Sequence, residues 1–174
     1  YPLNPDLFAV LMTASLEVTD PQAILAVGDA AVEPGLEDIA PGLFAELGDL
    51  AEALWRGVDS AHSGGRPMFV AHRDQSRPGD LNSGLSAWLA ANCLRELRGD
   101  NHWALCGSED LDDVEVGLLH SVMVDLDEYG SEEWIARSRG NDDEAVAKGW
   151  ARLEAKGLAS NSALNNEGRR FRLH

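Results

Sequence analysis

The sequence predicts a mainly α protein, with an N-terminal helical bundle over residues 1–108 and a smaller helical unit with a short β-hairpin over residues 109–174. Three features of the chain lead there. Apolar residues recur at helical spacing through most of it, as at Leu7, Val10, Leu11 and Ala14. Gly and Pro punctuate the periodic segments, as at Pro34-Gly35, Pro41-Gly42 and Gly64-Gly65. Close to the C-terminus, Leu158 and Leu164 suit short paired strands after a glycine stop at Gly157.

Asp6 to Leu16 reads as the first helix. Asp20-Pro21 starts a second, an N-cap followed by Pro at the first helical position, expected to run to about Val32. A longer helix is expected from Leu43 to His62, with Phe44, Leu47, Leu50, Ala51, Leu54 and Val58 on one face and Glu46, Asp49, Glu52 and Asp59 on the other. Residues 63–84 are rich in Gly, Pro, Ser and Arg. Within them Met68-Phe69-Val70-Ala71-His72 is too short for periodicity to choose between helix and strand. Leu85 to Arg98 is the clearest helix, with Leu85, Trp88, Leu89, Cys93, Leu94 and Leu97 on its apolar face and Gly99 as the expected stop. Three more helices follow: Asp112–Met123 with Val114, Leu118, Leu119 and Val122, then Ser131–Ser138, then Asn141–Lys156 with Val146, Trp150 and Leu153.

The 174 residues suffice for one large or two small domains that need no disulfide or metal to fold. No apolar run approaches the roughly 20 residues of a membrane span, so no membrane partner is expected. The formal charge of −16 disfavours anionic surfaces at long range. It is unevenly spread. From Lys148 to His174 there are six basic residues against Glu154 and Glu167, giving +4 there and −20 over residues 1–147. Cys93 and Cys106 fit no metal or redox spacing, and no paired-histidine motif, P-loop, dinucleotide fingerprint or nucleophile elbow is present. No metal or cofactor is therefore expected. Reduced cysteines and the lack of a signal-peptide pattern point to the cytoplasm. The opening Tyr1-Pro2-Leu3, without Met, reads as a fragment or part of a longer protein.

Leu153-Glu154-Ala155-Lys156-Gly157-Leu158, then Leu164 and Asn165-Asn166-Glu167-Gly168-Arg169-Arg170-Phe171, resembles the end of a MarR-type winged helix-turn-helix. There a third helix ends in a leucine, a few polar residues and a glycine. A β-hairpin wing follows, and then a helix opening around a Glu-Gly pair. Asn165 or Asn166 suits the N-cap of that closing helix. More widely, Gly65 to His72, the Trp88 helix, the stretch Leu94 to His102 and the C-terminal unit resemble, in the same order, a large actinobacterial helix-turn-helix family of unassigned function. Its members extend further at both ends, which implies a shortened chain.

The winged-helix resemblance implies DNA contact, and the candidate residues for it are Lys148, Arg152, Arg169 and Arg170. Its charge argues the other way. The start of the third helix, Asn141-Asp142-Asp143-Glu144, carries three carboxylates, and the wing, Ala159 to Ala163, has no basic residue. A second candidate site is the polar cluster Arg95, Glu96, Arg98, Asp100 and His102, with His72 and Arg73 nearby, between the bundle and the winged unit. An arginine there suits a carboxylate or phosphate, and His102 suits proton transfer. The bland alternative is an ion-pair network holding a helix end. The expected functions are thus a regulatory protein sensing a small molecule, with weak DNA binding and a homodimeric assembly, or an enzyme or ligand-binding protein using the Arg95–His102 cluster.

Overall fold

A computed structural model describes residues 5–76, 79, 83–123 and 130–173. Ten α-helices are present among them. In chain order they are α1 (Pro5–Val18), α2 (Pro21–Ile39), α3 (Leu43–Gly48), α4 (Ala51–Ser60), α5 (Pro67–Ser76), α6 (Gly84–Ser108), α7 (Asp113–Leu119), α8 (Trp134–Ser138), α9 (Asp143–Ala155) and α10 (Asn166–Leu173). A 3₁₀ turn, His120–Met123, follows α7. Strands β1 (Ala159–Ser160) and β2 (Ala163–Leu164) pair antiparallel between α9 and α10, with Ala159 opposite Leu164 and Ser160 opposite Ala163. The mainly α architecture with a small hairpin is the expected one. Two compact units divide the chain, one of residues 1–17 with 106–174 and the other of residues 18–105.

Within the unit of residues 18–105, Trp55, Val58, Phe69, Ala90 and Cys93 form the buried core, with Leu54, Val70, Leu89, Leu94 and Leu97 packed around it. The Trp55 indole N–H donates to the Ser86 hydroxyl at 2.8 Å, so both polar groups are satisfied where water is excluded. Gly84 opens α6 where a Cβ would lie 2.2 Å from the Phe44 carbonyl oxygen, an approach only glycine allows.

Three sequence expectations are corrected here and one open alternative is decided. α2 does not stop at Val32 but continues through Pro34 to Ile39. A proline already in helical φ forfeits one backbone hydrogen bond without forcing the chain out of the helix. The expected helix Leu43–His62 is two helices, α3 and α4, broken after Gly48, where the Asp49 N–H bonds the carbonyls of Glu46 and Leu47 and tightens the turn. The ambiguous Met68–His72 segment lies inside helix α5. Finally, α6 does not stop at Gly99 but runs on to Ser108. A glycine inside a helix costs about 1 kcal/mol relative to alanine, less than the helical hydrogen bonds that continue past it. The loop reading of residues 77–82, other than Gly79, falls outside the described residues.

In the unit of residues 106–174, α7, α8 and α9 pack around Val114, Leu118, Leu119, Ala136, Val146, Trp150 and Leu153. Ala159 and Leu164 of the hairpin extend that core, and Leu111, Leu158 and Phe171 flank it. The side chain of Val122, also expected on the apolar face of α7, lies outside the described set. α8 begins at Trp134, later than the expected Ser131. The helices approach closely because two glycines permit it. A Cβ on Gly117 would lie 3.0 Å from the Ala136 Cα, and one on Gly149 would lie 2.6 Å from the Val114 Cγ1.

α9 ends as its sequence dictates. Gly157 takes φ +75°, its N–H donates to the Glu154 carbonyl at 2.9 Å, and the Leu158 N–H donates to the Leu153 carbonyl at 2.8 Å. This is a complete Schellman cap, with Leu153 and Leu158 supplying its hydrophobic contact. The hairpin turns on Asn161 and Ser162, both left-handed with φ 53° and 55°, the backbone of a two-residue type I′ turn. Asn165 caps α10, its side-chain oxygen accepting from the Gly168 N–H at 3.0 Å.

Candidate nucleic-acid interface

The helix-turn-helix is α8, the turn Arg139 to Asp142 and α9. The turn reverses at Gly140, with φ +93°, and the Asn141 side-chain amide donates to the Ala136 carbonyl at 3.0 Å. Asp142 is the N-cap of α9 and accepts from the Ala145 N–H at 2.8 Å. The buried side of α9 carries Val146, Gly149, Trp150 and Leu153. Glu144, Ala147, Lys148, Ala151 and Ala155 share the exposed side. Exposed Glu154 borders that side and Arg152 is partly exposed at its other edge, so the helix offers DNA two cations against Glu144 and Glu154, with Asp142 and Asp143 exposed at its leading end.

Each of the four expected DNA-contacting cations is engaged by a carboxylate. Lys148 pairs with Glu144 one turn earlier at 2.6 Å. Arg152 pairs with Asp112, and its Nε lies 3.4 Å from Glu115, near enough for an ion pair but not aligned as a hydrogen bond. Arg169 reaches Glu132 at 3.3 Å, and Arg170 pairs with Glu167. Ser162 at the wing tip donates its N–H to Glu154 at 2.9 Å, so the wing adds no positive group.

Two open clefts border α9. One, about 430 Å³, is lined by Asp110, Asp112, Glu115, Arg152 and Lys156 among others. The other, about 400 Å³, is lined by Asp112, Asp142, Glu144, Lys148 and Arg152 among others. Each holds three carboxylates against two cations, an unfavourable balance for phosphate. Among the described residues no group of His, Cys, Asp and Glu is placed to hold a metal ion. No described helix is long and apolar enough to cross a membrane.

A helix-turn-helix family model matches residues 1–174. The chain belongs to that helix-turn-helix family. Neither a curated protein nor a solved structure matches it. In this helix-turn-helix protein, two features of the winged unit escaped the sequence reading. The first is Arg137, which donates to Glu133 at 2.8 Å and to Asp143 at 2.6 Å and so ties α8 to the start of α9. Those two carboxylates hold the Arg137 guanidinium above its ordinary pKa. The Glu133-x-x-x-Arg137 spacing is the signal that would have revealed the first of these contacts. The second is Glu115. It is 1% exposed, and Asp112-x-x-Glu115 is the pattern of a capping box. The Asp112 side chain accepts from the Glu115 N–H at 2.8 Å while Glu115 accepts from the Asp112 N–H at 3.0 Å.

The other candidate cluster lies within residues 18–105. Asp100 accepts from the Phe69 N–H at 2.9 Å, so it caps the start of α5 from the neighbouring helix. Beside it, Arg66 donates to Asn101 at 2.8 Å and to the His62 carbonyl at 2.6 Å. Glu96 is buried and pairs with Arg95 at 2.7 Å. Arg73 pairs with Asp74 at 3.3 Å and lies 5.5 Å over the Phe69 ring. His102 is half-buried, its ring 5.6 Å from that of Trp103. His72 is half-buried on α5 and Arg98 exposed on α6.

Proposed function

We propose that this helix-turn-helix protein is a regulatory protein whose winged unit holds DNA weakly and without strong base reading. One observation carries this reading: Lys148, Arg152, Arg169 and Arg170 each pair with a carboxylate of the same unit. A cation must leave such a pair to meet a phosphate, so its net gain on DNA is small. Counterion release, the main source of non-specific affinity, shrinks with every cation withheld. The exposed carboxylates Asp142, Asp143 and Glu144 occupy the positions from which a recognition helix reads bases.

Fluorescence polarisation with a mixed-sequence duplex tests this. Binding is expected only at low salt, at micromolar protein or weaker, with a log–log salt slope of roughly 1–2 where a protein making many phosphate contacts gives 6–10. Nanomolar, sequence-selective binding at physiological salt would overturn the weak-binding reading. No binding at micromolar protein and low salt would remove DNA altogether.

The alternative, an enzyme or ligand-binding protein acting through Arg95 to His102, has less support. Asp100 and Glu96 are committed to a helix cap and an ion pair, the roles such residues take when they fix a helix rather than a substrate.

A further inference from the structure

We propose that Asp112 and Glu115 form an autoinhibitory latch on α9, standing in for phosphate at Arg152 and Lys156; this rests on the DNA reading above. The two carboxylates project from one turn at the start of α7 and meet two cations on the last turns of α9. Asp112 engages Arg152. Glu115 receives Lys156 Nζ at 2.7 Å, and Lys156 also donates to the Asp110 carbonyl. Three observations make this more than a surface pair. Glu115 is almost fully buried, so these cations, rather than water, face its carboxylate. The capping box holds both carboxylates independently of the cations, by two backbone N–H groups, and so gives them a fixed place when a cation leaves. The Arg152 Nε is buried without a hydrogen bond, so the guanidinium is held by charge while one donor remains unspent.

The latch acts on the same helix as Lys148 and subtracts the second cation of that helix from any phosphate contact. DNA must therefore compete with two fixed carboxylates for Arg152. A phosphate that wins leaves Glu115 buried with only Lys156 to compensate it. Neutralising the carboxylates while keeping the cap should release the cations.

The double variant D112N/E115Q does this, because Asn at the N-cap and Gln at the third position preserve the capping box. The charge-matched control is D113N/E109Q, which removes two exposed carboxylates near the same helix end without freeing a cation. Polarisation with a mixed-sequence duplex at several salt concentrations is the readout, with circular dichroism confirming the fold of each protein. The latch variant is expected to bind roughly three- to tenfold tighter than the control, with a salt slope steeper by about 1–2. Adding R152A and K156A together to the latch variant should return the slope to the wild-type value, and R152A alone should return it part of the way. Equal affinity and slope in latch variant and control would overturn the latch while leaving weak DNA binding in place. No binding by any of the proteins, wild type included, would overturn both.

Discussion

Glu115 of α7 and Lys156 at the end of α9 meet at 2.7 Å in the cleft beside α9, the Glu115 side chain 1% exposed and that of Lys156 26% exposed. Sequence separation of 41 residues makes this a tertiary contact that staples α7 to the helix-turn-helix. Removing the cation alone leaves a buried charge with only Arg152 nearby. K156M is expected to lower unfolding free energy by about 1–3 kcal/mol, at the low side of a broken buried pair because Lys156 retains some solvent. E115Q, which removes the charge but keeps the cap, should cost less. Urea denaturation of the two variants checks the order.

Gly149 and Gly168 should respond differently to alanine. At Gly149 the new methyl would meet the side chains of Val114 and Leu118, at 2.6 Å and 3.1 Å. Side chains can shift, so G149A is expected to cost about 1–3 kcal/mol, partly recovered by adding V114A. At Gly168 the methyl would lie 2.1 Å from the backbone carbonyl of Leu158, which cannot turn away without opening the hairpin. G168A should therefore destabilise more and resist side-chain rescue, as thermal melts of the three variants would reveal.

Asp100 is expected to behave as a helix cap. D100A should cost about 1 kcal/mol and D100N less, since Asn also accepts from a backbone N–H. A far larger loss, or none, on chemical denaturation would remove the cap as its main role.

The two thiols should be unreactive in the folded protein. Cys93 and Cys106 are buried, and burial holds both pKa values above that of a free thiol. The folded state thus prefers the neutral thiols. That preference adds stability fully below the free-thiol pKa of about 8.5, and the contribution is lost as pH rises through the higher folded values. A thiol reagent at neutral pH should label both only on unfolding, and stability should fall as pH climbs above about 8.5. Rapid labelling of both cysteines in the native protein would refute this.

Much of the helix content was legible because it rests on local physics. The Asp20-Pro21 start of α2, the Gly157 stop of α9 and the Asn165 cap of α10 each depend on residues within a few positions of one another. The Leu153 to Phe171 pattern located the hairpin for the same reason. The reading failed where a local breaker was overruled. Pro34 and Gly99 look like stops, yet the helices pass through them. It failed in the other direction at Asp49-Leu50, where an unbroken apolar pattern hides a kink between α3 and α4.

At the candidate site, the residues alone revealed an acidic start to α9, an uncharged wing and a few cations that suit DNA. Lys148 and Arg170 have local partners, Glu144 four residues and Glu167 three residues earlier, which helical spacing makes readable. The partners of Arg152, Lys156 and Arg169 were not, because Asp112, Glu115 and Glu132 lie 37 to 41 positions away from the cations they hold and no local rule links such distant charges. The fold brings α7 against α9 through Gly149 and sets a buried carboxylate beside Arg152 and Lys156. Composition places these charges in the chain. Tertiary packing decides which of them face solvent and which are spent on one another, since ion pairing depends on distance in space and on burial.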